Sequence, residues 1–101
     1  MSICMTPNEL AYVVSIDDTR VNIGRLAKMQ RTSLKLTQDQ LARRCGATQT
    51  QIHRFEAKGD MTYDLFMRTC RSLGLDAWAV LKLAENPDAF EEACSLKSRF
   101  G

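Results

Sequence analysis

One hundred and one residues make about one domain, enough for a single compact core. Hydrophobic residues at 45% and charged residues at 26% are an ordinary globular balance, while five glycines and two prolines disfavour a turn-rich sandwich or barrel and favour helices with short joints. The net charge of +2 is unevenly spread: between Arg20 and Lys58 nine basic residues face two acidic ones, giving +7, and the remainder carries −5.

Thr6-Pro7-Asn8-Glu9 opens the first predicted helix, with a threonine cap, proline at the first helical position and glutamate at the third. Leu10, Val13 and Val14 give it a short apolar stripe that ends near Ser15-Ile16-Asp17-Asp18. A second helix is expected from about Thr19 to Ser33, with Ile23, Leu26, Ala27 and Gln30 on one face. Thr37-Gln38-Asp39-Gln40 is a capping box that starts a third helix, whose inward face is Leu41, Ala42 and Cys45 and whose stop is Gly46. Thr48-Gln49-Thr50-Gln51 is another, opening a helix that runs to about Lys58 and closes at Gly59-Asp60. Two short helices joined by about three residues that include glycine form the sequence outline of a helix-turn-helix.

Thr62 caps the next helix, with Tyr63, Phe66, Met67, Cys70 and Leu73 as its expected buried stripe and Gly74 as its end. Asp76 caps a short helix carrying Trp78, Leu81 and Ala84, and Asn86-Pro87 starts a last one with Phe90, Ala93, Cys94 and Leu96. Seven helices are expected: a central bundle of five over residues 19–85, an N-terminal extension over 1–18 and a C-terminal helix over 86–101.

No apolar run approaches the length of about 18 residues that a membrane span needs, so no membrane association is expected. The opening MSICMTPNEL has neither the basic start nor the apolar run of a secretory signal, which points to a cytoplasmic protein. Cys4, Cys45, Cys70 and Cys94 form no C-x-x-C pair, and one histidine cannot complete a Cys/His zinc set. No metal and no cofactor is therefore expected. Cys45 and Cys70 fall on apolar stripes and read as core residues, whereas Cys94 can be placed at a dimer interface. Trp78 reads as a core or interface aromatic. With a single histidine, no nucleophile motif and no glycine-rich phosphate loop, the chain does not read as an enzyme.

The helix after Gly46 has a calculable outward face. At about 100° per residue from Gln49, His53 falls at about 40°, Ala57 at about 80°, Thr50 at about 100° and Arg54 at about 140°. Ile52 and Phe55, its only large apolar side chains, fall at about 300° and about 240° and must pack inward. The opposite flank then offers an amide, a hydroxyl, an imidazole and a guanidinium. Such groups suit a base-pair edge: glutamine bonds bidentately to adenine, arginine to guanine, and a threonine methyl touches that of thymine. The plainer reading of the same charges is a solvated basic face.

Residues 23–81 resemble the Cro/phage-repressor (Xre-type) helix-turn-helix family. The resemblance is carried by Leu36-Thr37-Gln38, Leu41-Ala42, Cys45-Gly46, Thr48-Gln49, Ile52, Phe55-Glu56 and Gly59, followed by Leu73-Gly74-Leu75. It implies a five-helix bundle like that of the lambda repressor, with its third helix in the major groove of double-stranded DNA. It also implies a homodimer on an inverted-repeat operator. Gln49, Thr50 and Arg54 then stand at base-reading positions. Gln38 matches a glutamine that binds phosphate and steadies the first reading residue, and Arg43, Thr48, His53 and Lys58 are further phosphate or supporting positions. Arg31 and Glu56 match a structural ion pair. Lys35 stands where the family often has glycine, so its turn is expected to differ, and the connection after Glu56 is shorter and lacks the usual proline.

Several of these residues have a second reading. Gln51 either reads a base or bonds back to the Thr48 backbone. His53 either contacts DNA or is solvated, with a reference pKa of about 6.5 that would make contact pH-sensitive. The resulting expectation is a repressor of a mobile-element or autoregulated promoter. The alternative is a protein-interaction module on the same scaffold, an antitoxin or anti-activator with a protein partner.

Overall fold

The computed structural model describes residues 16–86, 88 and 90–92, the first two by backbone alone. All regular structure among them is helical. The elements are α1 (Ile16–Ser33), α2 (Gln38–Cys45), α3 (Gln49–Lys58), α4 (Tyr63–Leu73) and α5 (Ala77–Ala84), and residues 88 and 90–92 are also helical. Residues 6–15 of the first expected helix, and Ala93, Cys94 and Leu96 of the last one, lie outside the described residues.

Cap chemistry sets most of the boundaries. Thr37 and Thr48 both form complete capping boxes, with Gln40 and Gln51 returning their side chains to the cap backbone. Thr62 and Asp76 cap α4 and α5 from the side chain alone. Helix α1 is already helical at Ile16, ahead of the start expected near Thr19.

The core is built from Ile23, Leu26, Ala27, Leu41, Cys45, Ile52, Phe55, Leu65, Phe66, Cys70, Leu73, Val80 and Phe90. Helix α1 lies against α3, α4 and α5, while α2 packs on α3 and α4. Polar links reinforce these contacts. Asn22 Nδ2 donates to the Ala84 carbonyl (3.2 Å), and Gln30 Nε2 donates to the Leu73 carbonyl (3.0 Å), which accounts for Gln30 on an inward face. Gly24 sits where α1 crosses α3, and a β-carbon there would run into the Phe55 carbonyl oxygen. Close approach of the two backbones therefore requires glycine at this position.

Tyr63, expected in the buried stripe, is outside, and of the two readings of Trp78, core or interface, the core one does not hold. Tyr63 is 79% exposed and Trp78 66% exposed. Helix α4 buries Leu65, Phe66, Thr69, Cys70 and Leu73. With Phe66 at the origin, that arc runs from about 260° through zero to about 40°, and Tyr63 lies just past its edge at the first turn. Helix α5 buries Val80 and Ala84, and Trp78, two residues before Val80, projects about 160° away from it.

Candidate functional site

Helix α3 is fixed from one side and free on the other. Ile52 and Phe55 are buried, and with them the charged Glu56, only 5% exposed. Across from it is Arg31 of α1, 9% exposed. Arg31 donates from Nε to Glu56 Oε2 at 2.6 Å and from Nη2 to Oε1 at 3.0 Å, a bidentate pair. Its Nη1 reaches the Leu36 carbonyl at 2.7 Å. One guanidinium thus joins α1, the turn before α2 and α3. Burying the pair removes two charges from water, so its bonds must be complete to offset desolvation.

Gln38 joins the same cluster, donating from Nε2 to Glu56 Oε1 at 3.1 Å. Spacing alone did not reveal this bond, since Gln38 and Glu56 lie on different helices. Its amide nitrogen keeps a second hydrogen for another acceptor. The turn between α1 and α2 holds Lys35 at φ 59, a left-handed conformation that glycine adopts without strain and lysine does not.

The sequence-derived outward face is outward. Gln49, Thr50, His53, Arg54, Ala57 and Lys58 are all exposed on α3. Gln51 is exposed too, but its Oε1 accepts from the Thr48 backbone N–H at 2.9 Å, so the capping role holds its side chain. Thr48 accepts from the Gln51 N–H at 3.1 Å. Of the nine basic residues between Arg20 and Lys58, Arg31 alone is buried. Arg43 pairs at 3.0 Å with Asp39 one turn earlier; both are well exposed, so this link is weak and easily exchanged for another anion. Arg25 lies over the Phe90 ring, 4.8 Å from its centroid.

At its N-terminus α3 has backbone N–H groups without intrahelical partners and no acidic residue in the first turn, an arrangement that favours an anion. A rigid helix with amide, hydroxyl, imidazole and guanidinium groups on one flank, beside anion-attracting amides and Lys58, can hydrogen-bond both a negatively charged backbone and a patterned donor–acceptor edge.

Among the described residues, no group of three His, Cys, Asp or Glu side chains is placed to hold a metal ion, and no helix is long and apolar enough to cross a membrane. Cys45 and Cys70 are buried free thiols. The Cys70 thiol is pushed up from 9.0 to about 11, by burial first and the Asp76 carboxylate second. It is therefore a protonated core group at neutral pH. No protein-family model, curated protein or solved structure matches the chain.

Proposed function

We propose that the protein is a sequence-specific DNA-binding regulator of the Cro/phage-repressor helix-turn-helix type. In this reading α2 and α3, joined by Gly46-Ala47-Thr48, are the helix-turn-helix of a lambda-repressor-like bundle, and α3 lies in the major groove. Gln49, Thr50 and Arg54 read base edges; Gln38, Arg43, Thr48, His53 and Lys58 contact or support the phosphates. The observation that carries the reading is the division of α3: Ile52, Phe55 and Glu56 are locked inward while Gln49, Thr50 and Arg54 remain free outward.

A homodimer would set two such helices in successive major grooves about 34 Å apart on an inverted repeat. Occupancy of the operator by this cytoplasmic protein then represses a mobile-element or autoregulated promoter by excluding polymerase. A second reading, a protein-interaction module such as an antitoxin or anti-activator, draws support from the 66% exposure of Trp78 on an otherwise largely apolar α5.

Selection from a randomised duplex library, followed by mobility-shift titration, tests the first reading. Enrichment of an inverted repeat supports it. On the enriched site, Arg54→Ala should lose about 1–3 kcal/mol of binding and relax preference at one base pair. Failure to enrich any sequence, or full affinity and preference in the Arg54 variant, would overturn the assignment.

A further inference from the structure

The junction that launches α3 is held by a residue outside the two helices it joins. Arg68, on α4, donates from Nη1 to the carbonyl oxygens of Cys45 at 2.7 Å and Gly46 at 3.2 Å. Its Nη2 lies 3.0 Å from Asp64, one turn back on its own helix. Cys45 and Gly46 are the last residue and the cap of α2. Carbonyl groups there lack intrahelical partners and sit at the negative end of the helix dipole, so a guanidinium satisfies both deficits.

The arrangement is committed rather than incidental. The Arg68 side chain is 41% exposed, yet its guanidinium is engaged on two sides, by the two carbonyls through Nη1 and by Asp64 through Nη2. The same stretch of α4 holds Cys45 a second time, through the contact of its Sγ with Ser72 Oγ at 3.4 Å, and Ser72 in turn donates to the Arg68 carbonyl at 2.9 Å. Helix α3 is therefore anchored near both ends. The Arg31–Glu56 pair fixes it near its C-terminus, and Arg68 fixes the Gly46-Ala47-Thr48 turn from which it starts.

We propose that Arg68 is a positioning residue for base discrimination, an inference that rests on the DNA-binding reading. It clamps the turn from α4 and so sets the angle at which Gln49, Thr50 and Arg54 meet the base edges, without contacting the duplex itself. Loss of the clamp frees the N-terminal end of α3 to pivot about the Glu56 anchor. That blurs a geometry on which hydrogen-bonded readout depends more than phosphate attraction does.

The test uses the full chain and the duplex selected by the wild-type protein. Affinity for that duplex and for a scrambled one is titrated for wild type, Arg68→Met, Arg68→Lys and Val80→Ala, the last a destabilising control remote from the clamp. Thermal stability and the amide resonances of Gly46, Ala47 and Thr48 are recorded for each. Arg68→Met is expected to lose about tenfold in the ratio of selected to scrambled affinity, within the range of coupling through a positioning contact. Arg68→Lys should recover part of the ratio, and Val80→Ala should keep it despite its lower melting temperature. In the Met variant the three resonances should shift.

A wild-type ratio retained in Arg68→Met overturns the inference and leaves Arg68 a stability element. Equal weakening on both duplexes, with a flatter salt dependence, also overturns it, because that is the signature of a direct phosphate contact. If the Met variant does not fold, the Lys variant decides: full discrimination with unshifted resonances overturns the proposal, and partial discrimination with shifted resonances supports it. A wild-type protein that selects no duplex defeats the DNA-binding reading itself, and this inference with it.

Discussion

Between Arg31 and Glu56 the anchoring is polar: a bidentate ion pair, a glutamine on the same carboxylate, two capping boxes and a guanidinium on the turn carbonyls. Along α5 it is mainly apolar, with Lys82 the single charged side chain, Val80 and Ala84 facing the core, and one side-chain hydrogen bond, from Asn22, reaching the Ala84 carbonyl. Directional bonds hold α3 in one orientation and leave its polar flank free for a ligand. Burial holds α5 with fewer directional bonds and leaves Trp78 on the surface with Lys82 Nζ 5.9 Å from its ring centroid. One helix is held mainly by oriented bonds, the other mainly by apolar burial.

The sharpest way to break the contrast is Glu56→Ala. It strands a buried Arg31 and a Gln38 donor, and should cost about 3 kcal/mol of unfolding free energy in urea titration. A loss no larger than about 0.5 kcal/mol would mean the pair behaves as a surface bridge.

Next in size is an alkaline effect centred on Cys70. Its folded-state value lies near 11 against an ordinary 9.0. Below pH 9 both folded and unfolded chains keep the proton, so stability does not change with pH on this account. Between 9.0 and about 11 the unfolded thiol ionises and the folded one does not, so stability falls by at most about 2–3 kcal/mol. Urea midpoints of wild type and Cys70→Ala, compared from pH 8 to pH 11, should converge as pH rises. Parallel curves would remove the effect.

A smaller change of opposite sign is expected at Lys35→Gly. Relief of the left-handed strain should raise stability by up to about 1 kcal/mol, offset in part by the greater freedom of glycine in the unfolded chain. Its melting temperature reads the outcome, and a clear decrease would show that Lys35 contributes contacts that outweigh its backbone. The smallest effect belongs to the exposed face of α5. Trp78→Ala should alter the stability of the isolated chain by less than about 0.5 kcal/mol, while any self-association seen by sedimentation weakens. A large loss of stability would mean Trp78 belongs to the core after all.

Much of the described fold was legible because caps and stops are local chemistry. Thr37, Thr48, Thr62 and Asp76 each declare a helix start within three residues of themselves, and Gly46, Gly59 and Gly74 declare the ends with positive φ. The outward flank of α3 was legible for a related reason. A ten-residue helix with two large apolar side chains on one side has a single way to bury them. Tyr63 was misplaced, and Trp78 was left between core and interface, because both stand where periodicity is ambiguous: Tyr63 at the first turn of α4, Trp78 on a helix apolar nearly all round. There the neighbours, not the repeat, decide which side faces in.

What the sequence determined unaided is a helical chain with punctuated joints, a basic middle and an outward polar flank on α3. Tertiary packing alone decided that Gln38 would turn to Glu56, that α1 would cross α3 at Gly24, and that Arg68 would cap a helix more than twenty residues upstream. Local backbone chemistry acts within one turn and can be read along a line. Contacts between distant residues depend on how whole helices settle against each other to bury area and satisfy polar groups together.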